Sequence, residues 1–497
     1  MTAEETAAQT EESPASDART AMVIVHGLGE RRPMQTLEDF ANTALRPRTA
    51  HGEKRWGYYS LPAEITGSYE ARRFTSAQAD IYEYHWSYLM TANKYAGAMP
   101  MTLRLVLRRA SNVPDALLGV WRYVWSVLMA ILLAIPALFV TGYALNTDVP
   151  AWIIGLVISA VVLIFWFGLY RMAAKALVNK TTTSLVDVAR YLDPSPYSYA
   201  ARRAIRGGLV DLLHALHDGR YSRVVVVAHG VGTYISYDAL TAFWAETHKL
   251  HAGPPAGSQS SAPIELGALD GLEKAADRLV ADGDADGALD DFHDLQFDLW
   301  QDLREQGNPW RITDFVTVGA PMALADLLVT RPGLFSGFKK TDGGLRRELL
   351  DGLIRRGALV RCPPRPETLP VDGNEHPPAR YHWKDGEARE VLGPQSPFAV
   401  TRWTNLWFPV IRGSLQGDWF GGALGPLFGP GIRDIAIQGN RPERFKRGSA
   451  HTEYFRHPEK DGEGDMAWHL RSALALQTDS AQGAIATDSL ARQSRFL

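Results

Sequence analysis

One run of ten residues constrains this chain more than any other: Val224-Val225-Val226-Val227-Ala228-His229-Gly230-Val231-Gly232-Thr233. The unbroken apolar stretch reads as a strand covered on both faces. A tight turn follows, and Thr233 to Leu240 then reads as a helix packing back on the sheet. Ala228 and Gly232 keep side chains small on either side of Gly230, where the strand and helix backbones must approach closely. A corner of this kind costs a residue with a side chain roughly 1–3 kcal/mol, a cost glycine avoids.

A strand-to-helix corner also has chemical meaning. It thrusts one side chain above the sheet toward backbone N–H groups, which is how a hydrolase presents its nucleophile. Gly230 keeps the corner and supplies no attacking atom. Thr233 and Ser236 lie inside the following helix, where a hydroxyl runs along the helix surface and cannot meet those N–H groups.

Five further segments accompany the corner in a fixed order: His26-Gly27-Leu28-Gly29 before it, and Val316-Thr317-Val318-Gly319-Ala320-Pro321, Trp403-Thr404-Asn405-Leu406-Trp407, Gly417-Asp418-Trp419-Phe420-Gly421-Gly422 and His451-Thr452-Glu453-Tyr454-Phe455 after it. In this order the chain resembles a bacterial, membrane-anchored branch of the α/β-hydrolase superfamily, of esterase or lipase type. The resemblance spans about residues 22 to 456 and implies a mainly parallel sheet flanked by helices. It implies that Asp418 is the acid and His451 the general base, with Gly230 at the nucleophile position. The oxyanion donors would be the N–H of Val231 and an N–H near Leu28. No cofactor and no metal are implied. Alone, Asp418 reads as a turn residue in a Gly-rich loop, and His451 is one of 14 histidines; the order of the segments is what joins them.

Composition narrows the partners. A net charge of −3 gives no electrostatic footprint for nucleic acid. A single cysteine, Cys362, excludes an internal disulfide and agrees with a reducing compartment. No H-E-x-x-H or paired-cysteine metal motif is present.

The second dominant feature is apolar. Between Arg122 and Arg171 only Asp148 is charged, dividing the run into Tyr123 to Thr147 and Val149 to Tyr170. Each half exceeds the roughly 20 apolar residues that cross a bilayer. Trp121, Trp125, Tyr143, Trp152, Trp166 and Tyr170 cluster near the ends as interfacial belts do. Arg104, Arg108, Arg109 and Arg122 precede the pair and Arg171, Lys175 and Lys180 follow it, so the positive-inside rule places both flanks in the cytoplasm. The expectation is a two-helix hairpin in the inner membrane carrying a cytosolic globular domain, with the lipid bilayer as a partner.

The predicted organisation is therefore a disordered leader at 1–20, a first part of the core at 21–118, the hairpin at 119–175, a second part at 176–477 and a flexible tail at 478–497. Strands are expected at Met22 to His26, 81–86 and 223–228, and helices at Gln35 to Leu45, 182–192 and 198–217. An insertion at 248–306, acidic and helical in its second half, is either a cap over the pocket or a solvated appendage. Residues 363–396, rich in Pro, Glu and Gly, read as loop.

Three functions fit these features. The first is an esterase-like protein inactivated by Gly230 that binds an acyl ester or lipid. The second is an active hydrolase, in which Gly230 is an engineered replacement or the Asp418–His451 pair activates water. The third is a non-catalytic membrane scaffold whose protein partner the sequence does not identify.

Overall fold

The computed structural model of the protein describes residues 19–27, 33–45, 58–62, 72–76, 79–90, 113–126, 196–219, 221–248, 267–305, 307–324, 358–364, 382–384, 390–410, 416–437, 449–455 and 465–474, with a few isolated positions between them. In chain order these hold β1 (Thr20–Val25), α1 (Gln35–Ala44), β2 (Tyr59–Pro62), β3 (Arg72–Thr75), β4 (Ala79–Tyr84), α2 (Pro196–Asp218), β5 (Arg223–His229) and α3 (Gly232–Thr247). There follow α4 (Gly267–Asp282), α5 (Ala288–Glu305), β6 (Ile312–Val318), β7 (His382–Lys384), β8 (Glu390–Leu392), β9 (Arg402–Trp407), α6 (Gly425–Phe428), β10 (Ile432–Ala436) and α7 (Met466–Leu474). A further helical stretch at 115–126 precedes the apolar run.

Eight strands form one sheet in the order β10-β9-β6-β5-β1-β4-β3-β2. The pairings from β10 to β4 are parallel, while β3 runs antiparallel to both β4 and β2. Period-two alternation sends neighbouring residues into different cores. Val23, Val25, Val224, Val226 and Ala228 join α2, α3, α4 and α5 on one face, whereas Met22, Ile24, Val225 and Val227 join α1 and α7 on the other. Covering both faces is what demands the unbroken apolar run Val224 to Ala228 within β5. On α1 the buried Leu37, Phe40, Ala41 and Ala44 fall at helical spacing along one stripe.

The fold class is thus α/β, with a mostly parallel sheet between helical layers. Several expectations need correcting. Arg19 and Thr20, placed in the expected leader, belong to the folded core: Arg19 is tied to Asp80 by a 2.6 Å ion pair and Thr20 begins β1. The expected loop at 363–396 contains the β7–β8 hairpin. The insertion is no solvated appendage: Leu269, Leu272, Leu279, Phe292 and Leu299 are buried in the main core. Its anchors also lie away from the site end of the sheet. His293 Nε2 donates to Gly431 O, Gln296 Nε2 to Phe398 O and Trp300 Nε1 to Trp310 O, all beside the starts of β10, β9 and β6. Among the described residues no helix is long and apolar enough to cross a membrane. The expected hairpin at 119–175 falls almost wholly outside the described residues, as do most of the expected helix at 182–192 and the tail at 478–497.

Candidate functional site

Parallel strands end on one side of the sheet, and β1 is the point at which the chain turns from building outward through β4 to building in the opposite direction through β5. Open α/β sheets place their sites in the crevice beyond such strand ends. Gly230, directly after β5, lies there with φ +54°, the left-handed region in which L side chains are strained. Its N–H donates to Val318 O (3.1 Å), and its carbonyl accepts from the Thr233 N–H (3.0 Å) and hydroxyl (2.7 Å), fixing the corner from both sides. The helix then starts very close to β1: a Cβ at Gly232 would stand 2.3 Å from Val25 O.

The expected acid and base converge over this corner. His451 sits in a 3₁₀ turn at Ser449–Thr452, and its Nδ1 donates to Asp418, 3.0 Å from Oδ2 and 3.2 Å from Oδ1. Both side chains are buried, at 3% and 0% exposure. The ring's other nitrogen faces Gly230: a Cβ built on that glycine would lie 3.1 Å from His451 Nε2. Among the described residues Nε2 has no hydrogen-bond partner. A buried polar atom in that condition costs about 1–3 kcal/mol.

Two aromatic residues and two glycines hold the acid. The Tyr454 hydroxyl donates to Asp418 Oδ2 (2.7 Å) and accepts from the Phe408 N–H (2.9 Å), while Asp418 Oδ1 accepts from the Phe420 N–H (2.8 Å). A Cβ on Gly319 would approach Asp418 Oδ2 to 3.1 Å and the Tyr454 ring to 2.5 Å, and one on Gly421 would approach Oδ2 to 2.6 Å. The glycines of the Gly319-Ala320-Pro321 and Gly417-Asp418 segments therefore make room for the carboxylate. Burial alone would raise the Asp418 carboxyl, but the His451 charge and the hydrogen bonds from His451, Phe420 and Tyr454 outweigh it and hold the group below its ordinary range. Burial and the Asp418 charge push the Tyr454 phenol well up, so it remains a donor.

His229, just before the corner, stacks on His451 with ring centroids 5.0 Å apart, and its Nε2 donates to the His451 carbonyl (2.9 Å). Tyr454 and His229 are positioning residues to which the sequence motifs assign no role. Each stands near an assigned residue in the chain, but their contacts cross 46 and 222 positions of sequence. Phe420 sets its ring edge against His451 at 5.3 Å. With Trp419 it packs on Val113, Leu117, Leu118 and Val120, so the acid loop lies against the helix that leads into the apolar run.

Of the oxyanion donors, Val231 follows the corner as expected and is fully buried. Leu28 lies outside the described residues, while its neighbour Gly27 brings its Cα to 3.3 Å from the same built Cβ at Gly230. The structure thus brings the His451 imidazole and the Asp418 carboxylate together over the Gly230 corner, with Val231 next in the chain. Compared with known proteins, the chain matches no family model, no curated protein and no solved structure.

Proposed function

We propose that the protein is an esterase-like α/β-hydrolase whose site keeps the base and acid of serine-dependent acyl-ester hydrolysis and lacks the nucleophile at Gly230. The observation that carries this reading is the aim of His451 Nε2 at the place where a Gly230 side chain would start, 3.1 Å away, with Asp418 3.0 Å from the opposite ring nitrogen. A serine there would give its proton to Nε2 as its Oγ attacked the ester carbonyl, and Asp418 would fix the tautomer and stabilise the imidazolium. As written, the chain binds an acyl ester or lipid and forms no acyl-enzyme.

A second reading rests on the same geometry. The buried Nε2 could act as a general base for a water molecule hydrogen-bonded to it. This route is slow, since in subtilisin loss of the serine alone costs about as much as loss of the whole triad. An active form with serine at 230 would share every other feature.

The hairpin at 119–175 belongs to the proposal, placing the globular part on the cytosolic side of the inner membrane. Support comes from the packing of Trp419 and Phe420 on the 115–126 helix, which would hold the site close to the bilayer. There lipid-derived esters are concentrated, and an acyl ester is favoured over a peptide.

Hydrolysis of short and long p-nitrophenyl acyl esters tests the reading. Gly230→Ser is expected to hydrolyse them at least ~10³-fold faster than the chain as written, on the scale by which serine removal lowers rates in serine proteases. Equal and negligible rates from a folded Gly230→Ser protein would overturn it and favour the scaffold.

A further inference from the structure

We infer that His26, Glu83 and His85 form a binding site for one divalent transition-metal ion, of which zinc is the probe ion, at the joined ends of β1 and β4. Each residue offers one ligand atom, and the three atoms lie within 4.8 Å of one another. The sheet register produces the arrangement. β1 and β4 pair in parallel with Ile24 opposite Glu83 and Val25 opposite Tyr84, so His26 and His85 are the next residues on the two strands. Glu83 and His85, two apart, share a side of β4.

The donor set is two imidazoles and one carboxylate. That combination suits zinc and other first-row divalent ions and leaves a coordination position for water. Protein contacts orient the donors as metal-site neighbours do. His26 Nδ1 lies 2.6 Å from Gly27 O, which can only accept, so Nδ1 carries the proton and Nε2 the lone pair. The Trp86 N–H donates to that Nε2 at 3.4 Å, a long bond that an ion would replace. Glu83 Oε2 accepts from the Met34 N–H (2.6 Å), and His85 Nε2 is 3.1 Å from the Ser87 hydroxyl. The His26 ring is walled by Trp86, stacked at 5.2 Å, and by His85 at 5.0 Å. His26 is fully buried, and Glu83 and His85 are half-buried.

An ion here would clamp β1 to β4 and, through Glu83 and Met34, to the start of α1. It would also fix Gly27, the residue after His26, whose Cα borders the Gly230 corner at 3.3 Å. The inference needs no hydrolase chemistry and stands or falls separately from the proposed function.

The test uses the full chain stripped with a chelator, then dialysed against zinc. One equivalent should bind, the melting temperature should rise, and Glu83→Gln and His85→Ala should each weaken binding at least ~10-fold. Failure of the stripped chain to retain an equivalent, or unchanged affinity in both variants, would overturn the inference. If both variants fail to fold, cobalt substitution of the unaltered chain decides the matter. Visible d–d bands that bleach as the pH falls and the histidines protonate support the site, and their absence refutes it.

Discussion

The two ends of the sheet give their buried carboxylates different partners. Where the strands begin, every carboxylate oxygen of the central acids is covered. Asp314 Oδ1 accepts from Arg402 (2.8 and 2.9 Å), and Oδ2 accepts from Arg223 (2.5 Å) and the Thr313 hydroxyl (2.6 Å). Asp80 takes Arg19 on one oxygen (2.6 Å) and the Tyr221 hydroxyl on the other (2.7 Å). Where the strands finish, Asp418 is equally well held, but its histidine partner presents a buried nitrogen that nothing among the described residues satisfies. The first arrangement lowers the energy of the fold. The second leaves a nitrogen facing the Gly230 corner, 3.1 Å from where a side chain there would start, a position that suits a ligand or a reacting group.

The contrast predicts different consequences for matched substitutions. In a Gly230→Ser background, Asp418→Asn should lower ester hydrolysis about 10⁴-fold, as loss of the tautomer-fixing acid does in serine proteases, with the melting temperature changed by only a few degrees. A large loss of stability with unchanged turnover would reverse the roles assigned to the two ends. Asp314→Asn should do the opposite. It strands two arginines that are only 14% and 20% exposed, and urea denaturation should show a loss of about 3 kcal/mol with little change in rate per folded molecule.

Smaller effects sharpen the comparison. In the same Gly230→Ser background, Tyr454→Phe removes the hydroxyl's bond to Asp418 and leaves the Phe408 N–H without its acceptor, and kcat should fall roughly 10-fold with KM unchanged; an unchanged kcat would make Tyr454 merely structural. At the strand-start end, burial first, and then the nearby Arg433 charge, lower the His293 pKa to about 3. Its folded value is below its unfolded one, so the stability tied to the neutral ring is complete above about pH 6.5 and drains as pH falls toward 3. The expected slope is about 1.4 kcal/mol per pH unit in that window. His293→Gln should flatten it, as read from denaturation at pH 6 and pH 5.

What is legible in the sequence is the part governed by local chemistry. The apolar run of β5 and the glycine at the corner are readable because each imposes a residue type at one place: small where backbones meet, apolar where both faces are covered. The Asp418–His451 pair is not of this kind; only the order of the six segments and the resemblance it carries point to it. The β2–β3 edge escapes because Tyr59–Pro62 is exposed throughout and carries no alternation. The β7–β8 hairpin hides in a Pro- and Gly-rich stretch that composition assigns to loop. The insertion's second half reads as helical and acidic, yet the side of the sheet it covers is decided by Gln296 and Trp300 reaching carbonyls at strand starts, which no local pattern encodes. The role of Tyr454 escapes for the same reason.

The proposed function requires His451 and Asp418 to act as base and acid around a corner that lacks a nucleophile. A fluorophosphonate probe, which reacts only with an activated hydroxyl, tests it most directly. The chain as written should remain unlabelled, Gly230→Ser should be labelled within the peptide 224–240, and adding His451→Ala should abolish that labelling. The His451 shift needed to admit the new Cβ is a few tenths of an ångström, since the built contact is 3.1 Å. Labelling of that peptide in the unaltered chain, or a folded Gly230→Ser protein that stays silent, would contradict the claim.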